Sequence, residues 1–276
     1  MPKLLNTLTK EEIEYIINLY QNNVSLREIE KITKHGRQAI GRMLEELGIK
    51  TSEGNNYRYY TFDYNFFENI DNELKAYWLG FLYADGCILS KNKYGQQEFK
   101  LALSKQDEET IINYKKDLKS TYPIRYDKSK NLKNSNHQIQ VIQSLRSQKT
   151  VEDLKKLGCV EKKSLILDFP NENQVPEKYL RHFIRGYFDG DGSITSFNNK
   201  YNISITGTEN FIKKLYSVIN KGCIFSDKRK KNSWYLNIGG NLQVLEFYHF
   251  LYDDATRYMK RKYDKFQNLL NKYSEN

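Results

Sequence analysis

Two stretches of this 276-residue chain repeat one pattern, and the repeat restricts the fold more than any other feature. The first is Trp78-Leu79-Gly80-Phe81-Leu82-Tyr83-Ala84-Asp85-Gly86; the second is Ile184-Arg185-Gly186-Tyr187-Phe188-Asp189-Gly190-Asp191-Gly192. Each has a glycine, a small residue four positions later, then an aspartate closed by glycine. Helix-forming sequence precedes both, so each reads as a buried helix. Gly80 with Ala84, and Gly186 with Gly190, fall on one helical face. Small residues there let two backbones approach closely. Gly86 and Gly192 fall where a left-handed helix cap is expected. The copies lie roughly 100 residues apart, a small domain's length, which predicts a pseudo-twofold molecule with two acids meeting at its axis.

Those acids, Asp85 and Asp191, face the negative ends of their helices, an arrangement costing about 0.3–1 kcal/mol each. Side by side they also repel each other, and a bound divalent cation resolves both conflicts. Oxygen ligands with open positions suit Mg²⁺ (or Mn²⁺), with the Gly86 and Gly192 backbones as further candidate ligands. A plain Asp-Gly turn explains one copy but not two in matched contexts. A calcium loop fails: aligned on Gly192, its first and twelfth positions are Tyr187 and Asn198, where acids are required.

The paired segments resemble the motifs of LAGLIDADG homing endonucleases, in the single-chain form with two copies, over roughly residues 72–276. Lys162-Lys163-Ser164-Leu165-Ile166-Leu167-Asp168-Phe169-Pro170 is similar to the lysine-serine stretch before the second motif, and Tyr258-Met259-Lys260-Arg261-Lys262-Tyr263 to the closing basic helix start. The first motif departs at Tyr83, where many members have an acid. The resemblance implies a metal-dependent endodeoxyribonuclease acting as a monomer on a long pseudo-palindromic duplex, encoded in an intron or phage-like mobile element. Asp85 and Asp191 would hold the metals. The resemblance adds one basic catalytic residue per half, best matched by Lys163 and Lys260, with Lys162 and Lys262 open as alternatives. A silent DNA-binding regulator and an intron RNA maturase are the rival readings.

A net charge of +10 independently points to a polyanion. No apolar run approaches the length of a membrane span, and the start lacks a signal-peptide core, so double-stranded DNA is favoured over a membrane and a cytoplasmic protein is expected. Cys87, Cys159 and Cys223 show no metal-ligand spacing. His182 is expected to pack on the second motif helix.

Residues 1–50 read as a separate all-α unit. Thr9 with Glu12, and Ser25 with Glu28, make capping boxes, and a third helix runs from Arg37 to Leu47, stopped by Gly48. The core is expected from Ile13, Ile16, Ile17, Leu26, Ile29, Ile40, Leu44 and Leu47. This resembles a helix-turn-helix domain with Arg37, Gln38 and Arg42 exposed on its reading helix. Residues 51–71 read as a linker, 72–170 as the first half and 171–276 as the second.

After each motif the apolar period changes to two, as in Phe99, Leu101 and Leu103 or Trp234, Leu236 and Ile238. Each half is therefore αββαββα, an α/β (α+β) fold of tandem halves with antiparallel sheets. The resemblance implies that these sheets are saddle-shaped and lie in the DNA major groove. Lys100, Gln138, Gln140, Tyr235 and Asn237 are then candidate groove contacts, with Lys228, Arg229 and Lys230 at a hairpin tip.

Overall fold

The computed structural model describes residues 7–21, 24–49, 51, 60–92, 94–128 and 139–274. They form two compact units, divided between Thr61 and Phe62.

The amino-terminal unit is three helices, α1 (Lys10–Gln21), α2 (Leu26–Thr33) and α3 (Arg37–Glu46). Both capping boxes form: Thr9 N donates to Glu12 Oε2 at 2.8 Å and Glu12 N to Thr9 Oγ1 at 3.2 Å, while Ser25 and Glu28 exchange the same pair. Lys34 ends α2 in the left-handed conformation, and Gly48 follows α3 at φ 77°. Ile16, Tyr20, Ile29, Ile40, Met43 and Leu44 fill the core, with Ile13, Ile17 and Leu26 at its margin. Leu47, expected inside, is exposed, because α3 ends one residue before it.

The larger unit carries the repeat. Its first half runs α4 (Glu73–Ala84), β1 (Gly86–Ile88), β2 (Glu98–Ser104), α5 (Glu108–Asp117), β3 (Arg125–Lys128), β4 (Ile139–Arg146) and α6 (Gln148–Lys156). The second runs α7 (Glu177–Asp191), β5 (Gly192–Phe197), β6 (Lys200–Gly207), α8 (Glu209–Ile219), β7 (Cys223–Ser226), β8 (Trp234–Gly239) and α9 (Asn241–Tyr252), followed by α10 (Lys260–Ser274). The antiparallel sheets have the same strand order, β1-β2-β4-β3 and β5-β6-β8-β7. The expected αββαββα repeat is therefore present twice. In each sheet one face is apolar and covered, with Leu101, Val141, Ile203, Ile205, Leu236 and Ile238 all inaccessible; the alternation demanded by strand geometry leaves the other face polar.

The segment expected to be a linker is partly structural. Phe62, Phe66, Phe67 and Ile70 are buried in the larger unit. Phe62 meets Phe99 and Tyr122 edge-on at 5.9 and 6.1 Å, and Asp63 N donates to Leu118 O at 2.8 Å. Four large apolar groups in nine residues have a burial gain that a solvated linker would forgo. Tyr57, Arg58 and Tyr59 lie outside the described residues.

Candidate functional site at the paired helix ends

Helices α4 and α7 pack side by side and parallel at the centre of the larger unit. The contact is reciprocal: a Cβ on Gly80 would sit 2.0 Å from Phe183 O, and one on Gly186 would sit 1.9 Å from Tyr77 O. A Cβ on Gly190 would meet Ala84 Cβ at 2.3 Å. Only glycine permits this approach, as the small-residue spacing implies.

Gly86 and Gly192 do not act as left-handed caps. Gly192 is extended at φ −81° and ψ 157°, and Gly86 has no positive φ. Both are the first residues of strands, so α7 passes directly into β5 and α4 into β1 across the single residue Asp85. Glycine is required there for space: a Cβ would strike Leu82 O and Phe188 O, each at 2.5 Å.

This junction leaves Asp85 and Asp191 at matched helix ends, open to solvent but crowded by protein. Burial from water raises the Asp191 carboxyl to about 6, and the neighbouring Asp85 charge adds to the rise; Lys163 and Lys262 oppose it. Burial likewise raises Asp85, against the pull of the same two lysines. The arrangement therefore concentrates negative charge among crowding protein groups.

A buried lysine stands at each helix end, Lys163 on the first carbonyl of β1 just past α4 and Lys262 on carbonyls of α7 itself. Lys163 Nζ donates to Gly86 O, and Lys262 Nζ donates to Phe188 O at 2.7 Å and Gly190 O at 2.9 Å. A cation on terminal carbonyls is the favourable partner for the negative pole of a helix. Burial brings the Lys262 ammonium down to about 8, while Asp189, Asp85 and Asp191 hold it up. Lys162 is exposed. Of the two candidates in the second half, Lys262 lies beside the acids, whereas Lys260 points into solvent and pairs with Asp264 at 2.7 Å. Two positions along α10 separate outward from inward faces, so Lys260 is turned away from the acids.

Two further side chains, neither a candidate from the sequence, anchor the lysines. Asp189, fully buried, accepts from Tyr77 Oη at 2.9 Å, Tyr252 Oη at 2.6 Å and Met259 N at 2.7 Å. It thereby fixes the chain just before Lys262. Tyr83 stands at the corresponding place in the first motif, and its hydroxyl donates to Leu157 O, fixing the chain just before Lys163. The departure at Tyr83 is thus a different side chain in the same structural position. Only its apolar setting on a buried helix face hinted at this in the sequence.

Arg185 is fully buried and joins the halves: it donates to Glu73 Oε1 at 2.5 Å, to Leu251 O at 2.9 Å and to Arg257 O at 2.9 Å. His182 packs beside it as expected, 2.9 Å from Arg185 Nη1. Arg257 completes the tie with two bonds of 2.7 Å to Asp117.

Beside the acids lies a cleft of about 580 Å³ lined by Lys163, Asp191, Thr206, Thr208, Lys230 and Lys231, among others. Lys228, Arg229 and Lys230 are exposed at the β7–β8 tip, Arg229 paired with Asp227 at 2.9 Å. Lys100 and Gln140 share the uncovered face of the first sheet, and Tyr235 and Asn237 that of the second. Gln138 lies outside the described residues. Arg37, Gln38 and Arg42 are exposed on α3 of the separate amino-terminal unit. Among the described residues no cluster of three or more His, Cys, Asp or Glu could hold a metal ion, and no helix is long and apolar enough to cross a membrane.

Residues 178–251 match the family model of a LAGLIDADG-like domain. No curated protein matches the sequence. Among solved structures, the chain is similar to the meganuclease I-SmaMI bound to uncleavable DNA, at 14% identity and TM-score 0.48 over 72% of this chain and 90% of that one. It is similar to the LAGLIDADG meganuclease I-AabMI bound to uncleaved DNA, at 15% identity and TM-score 0.49 over 72% and 89%. The I-LtrWI LAGLIDADG homing endonuclease bound to target DNA gives 10% identity and TM-score 0.48 over 77% and 92%.

Proposed function

We propose that this chain is a monomeric, site-specific endonuclease that hydrolyses one phosphodiester in each strand of a long DNA duplex. The observation that carries the reading is the paired helix end: two crowded carboxylates, with a buried lysine bonded to backbone carbonyls beside each, on a molecule of net charge +10. The LAGLIDADG-like domain at residues 178–251 supports it.

The donor chemistry fits Mg²⁺ or Mn²⁺. Two carboxylates raised by crowding and, at Asp191, by the neighbouring charge present hard oxygens that gain from a divalent cation between them. Gly86 O already accepts from Lys163, but a carbonyl has a second lone pair. A bound cation would supply Lewis acidity toward a phosphoryl oxygen and an acidified water. Asp85 and Asp191 would orient that water, one for each strand. Lys163 and Lys262 would stabilise charge gathering on the phosphate, each held in place by its backbone acceptors. The uncovered sheet faces would lie along the duplex, and Arg37, Gln38 and Arg42 of the three-helix unit would extend the footprint.

Duplexes selected from a randomised library test the reading. Plasmids carrying a selected sequence should be linearised by the wild type with Mg²⁺. Asp85→Asn or Asp191→Asn alone should leave one strand intact, and the double variant should be inert. Tight binding with no cleavage by the wild type would make the chain a DNA-binding regulator instead.

A further inference from the structure

The uncovered faces of the two sheets differ chemically. On the first, the strand register brings together Glu98, Lys100, Arg125, Asp127, Gln140 and Arg146, and Arg146 pairs with Glu98 at 3.2 Å. On the second, the same register presents mainly hydroxyls and amides: Ser193, Thr195, Ser204, Thr206 and Asn237. An aromatic pair interrupts that face. Phe225 is 46% exposed and stacks on Tyr235 with ring centroids 5.7 Å apart and planes at 29°.

The pair has a defined place. Thr206 faces Tyr235 across β6 and β8, and Tyr235 faces Phe225 across β8 and β7, forming one row across the sheet. Gly192 pairs with Ile205, so this row lies at the end of the sheet where Asp191 enters β5. Just beyond Phe225 the chain continues into the exposed Lys228–Lys231 tip. The row thus runs between a motif acid and a cluster of cations suited to phosphates. Along a duplex groove, an aromatic edge without charge has one distinctive partner, the 5-methyl group of thymine.

Resting on the endonuclease reading, we infer that Phe225, supported by Tyr235, is a specificity-determining residue that reads thymine by its methyl group in the half-site next to the cut. Charged groups on the first sheet read the other half-site differently, with Lys100 and Arg125 placed to take guanine.

Selection from the randomised library should return thymine at one fixed position of one half-site. Replacing that thymine by deoxyuridine should weaken equilibrium binding about 4-fold, the value of one buried methyl group. Phe225→Ser should bind both bases equally, whereas Phe225→Leu should keep most of the preference. Lys100→Ala should weaken binding while leaving the thymine-to-uridine ratio unchanged. Equal binding of thymine and uridine by the wild type, or an unchanged ratio in Phe225→Ser with an intact thermal transition, would overturn the assignment. Selection of no duplex at all would instead remove the endonuclease reading beneath it.

Discussion

The two halves agree where their helices touch and differ where their clefts open. At the interface the contact is residue for residue: Gly80 fits Phe183 O as Gly186 fits Tyr77 O. Beside the acids the symmetry is lost. Asp107, just before α5, takes two bonds of 2.9 and 3.0 Å from Arg261 of the second half. Thr208, just before α8, donates only to the carbonyl of Leu167 at 2.5 Å, in the lining of the open cleft. The lysine-bearing segments are likewise anchored by unlike groups, Tyr83 in one half and Asp189 in the other. Backbone contact at a glycine admits no alternative side chain, so that feature stays duplicated. A hydrogen bond can be made by several side chains, so the clefts are free to diverge.

The largest effects should appear at the two buried lysines. Lys163→Met and Lys262→Met should each slow cleavage of one strand by about 10²–10³-fold, the usual loss on removing a charge-stabilising donor. Nicked plasmid should accumulate in both, with opposite strands cut. Lys260→Met should cut like wild type; equal losses at 260 and 262 would break the assignment of roles along α10.

Next, the interface glycines sharpen the symmetric side of the comparison. Gly80→Ala and Gly186→Ala should each destabilise the larger unit by about 3 kcal/mol or more in urea unfolding, because backbone on the facing helix cannot yield. Matching losses are expected, and a well-tolerated change at one position would show that the helices are not equivalently packed.

A smaller effect should come from the asymmetric Arg185 cluster. Burial lowers the His182 imidazole to about 4, with Arg185 adding to the shift and Glu73 opposing it. A histidine held below its unfolded value near 6.5 is neutral in the fold. Its contribution is complete above pH 6.5 and is lost as pH falls toward 4, by at most about 1.4 kcal/mol per pH unit. Chemical denaturation across that window should show the slope, and His182→Gln should flatten it. The smallest change is expected from Lys260→Ala, which removes an exposed pair and should leave the thermal transition where it is.

What the sequence revealed follows the kind of constraint involved. Glycine spacing, capping boxes and strand alternation are local or periodic, so the αββαββα halves, the three helices and the central acids could all be read. Which cation of the second half faces the acids could not. Lys260, Arg261 and Lys262 are consecutive cations, and only the rotation of α10 turns Lys262 inward. Phe62 was hidden for a related reason: its packing partners Phe99 and Tyr122 are distant in sequence. The glycines after the acids carry the signature of a left-handed cap, but the structure holds them for space, and sequence does not distinguish a left-handed turn from a crowded one.

The direct passage from helix to strand at Gly86 and Gly192 has a mechanical consequence. No hinge separates Asp85 from β1 or Asp191 from β5. The surface that would feel base sequence and the acid that would act on the backbone therefore move as one lever. A mismatched duplex that tilts a sheet would carry that sheet's acid out of line, so recognition and cutting would fail together, one strand at a time.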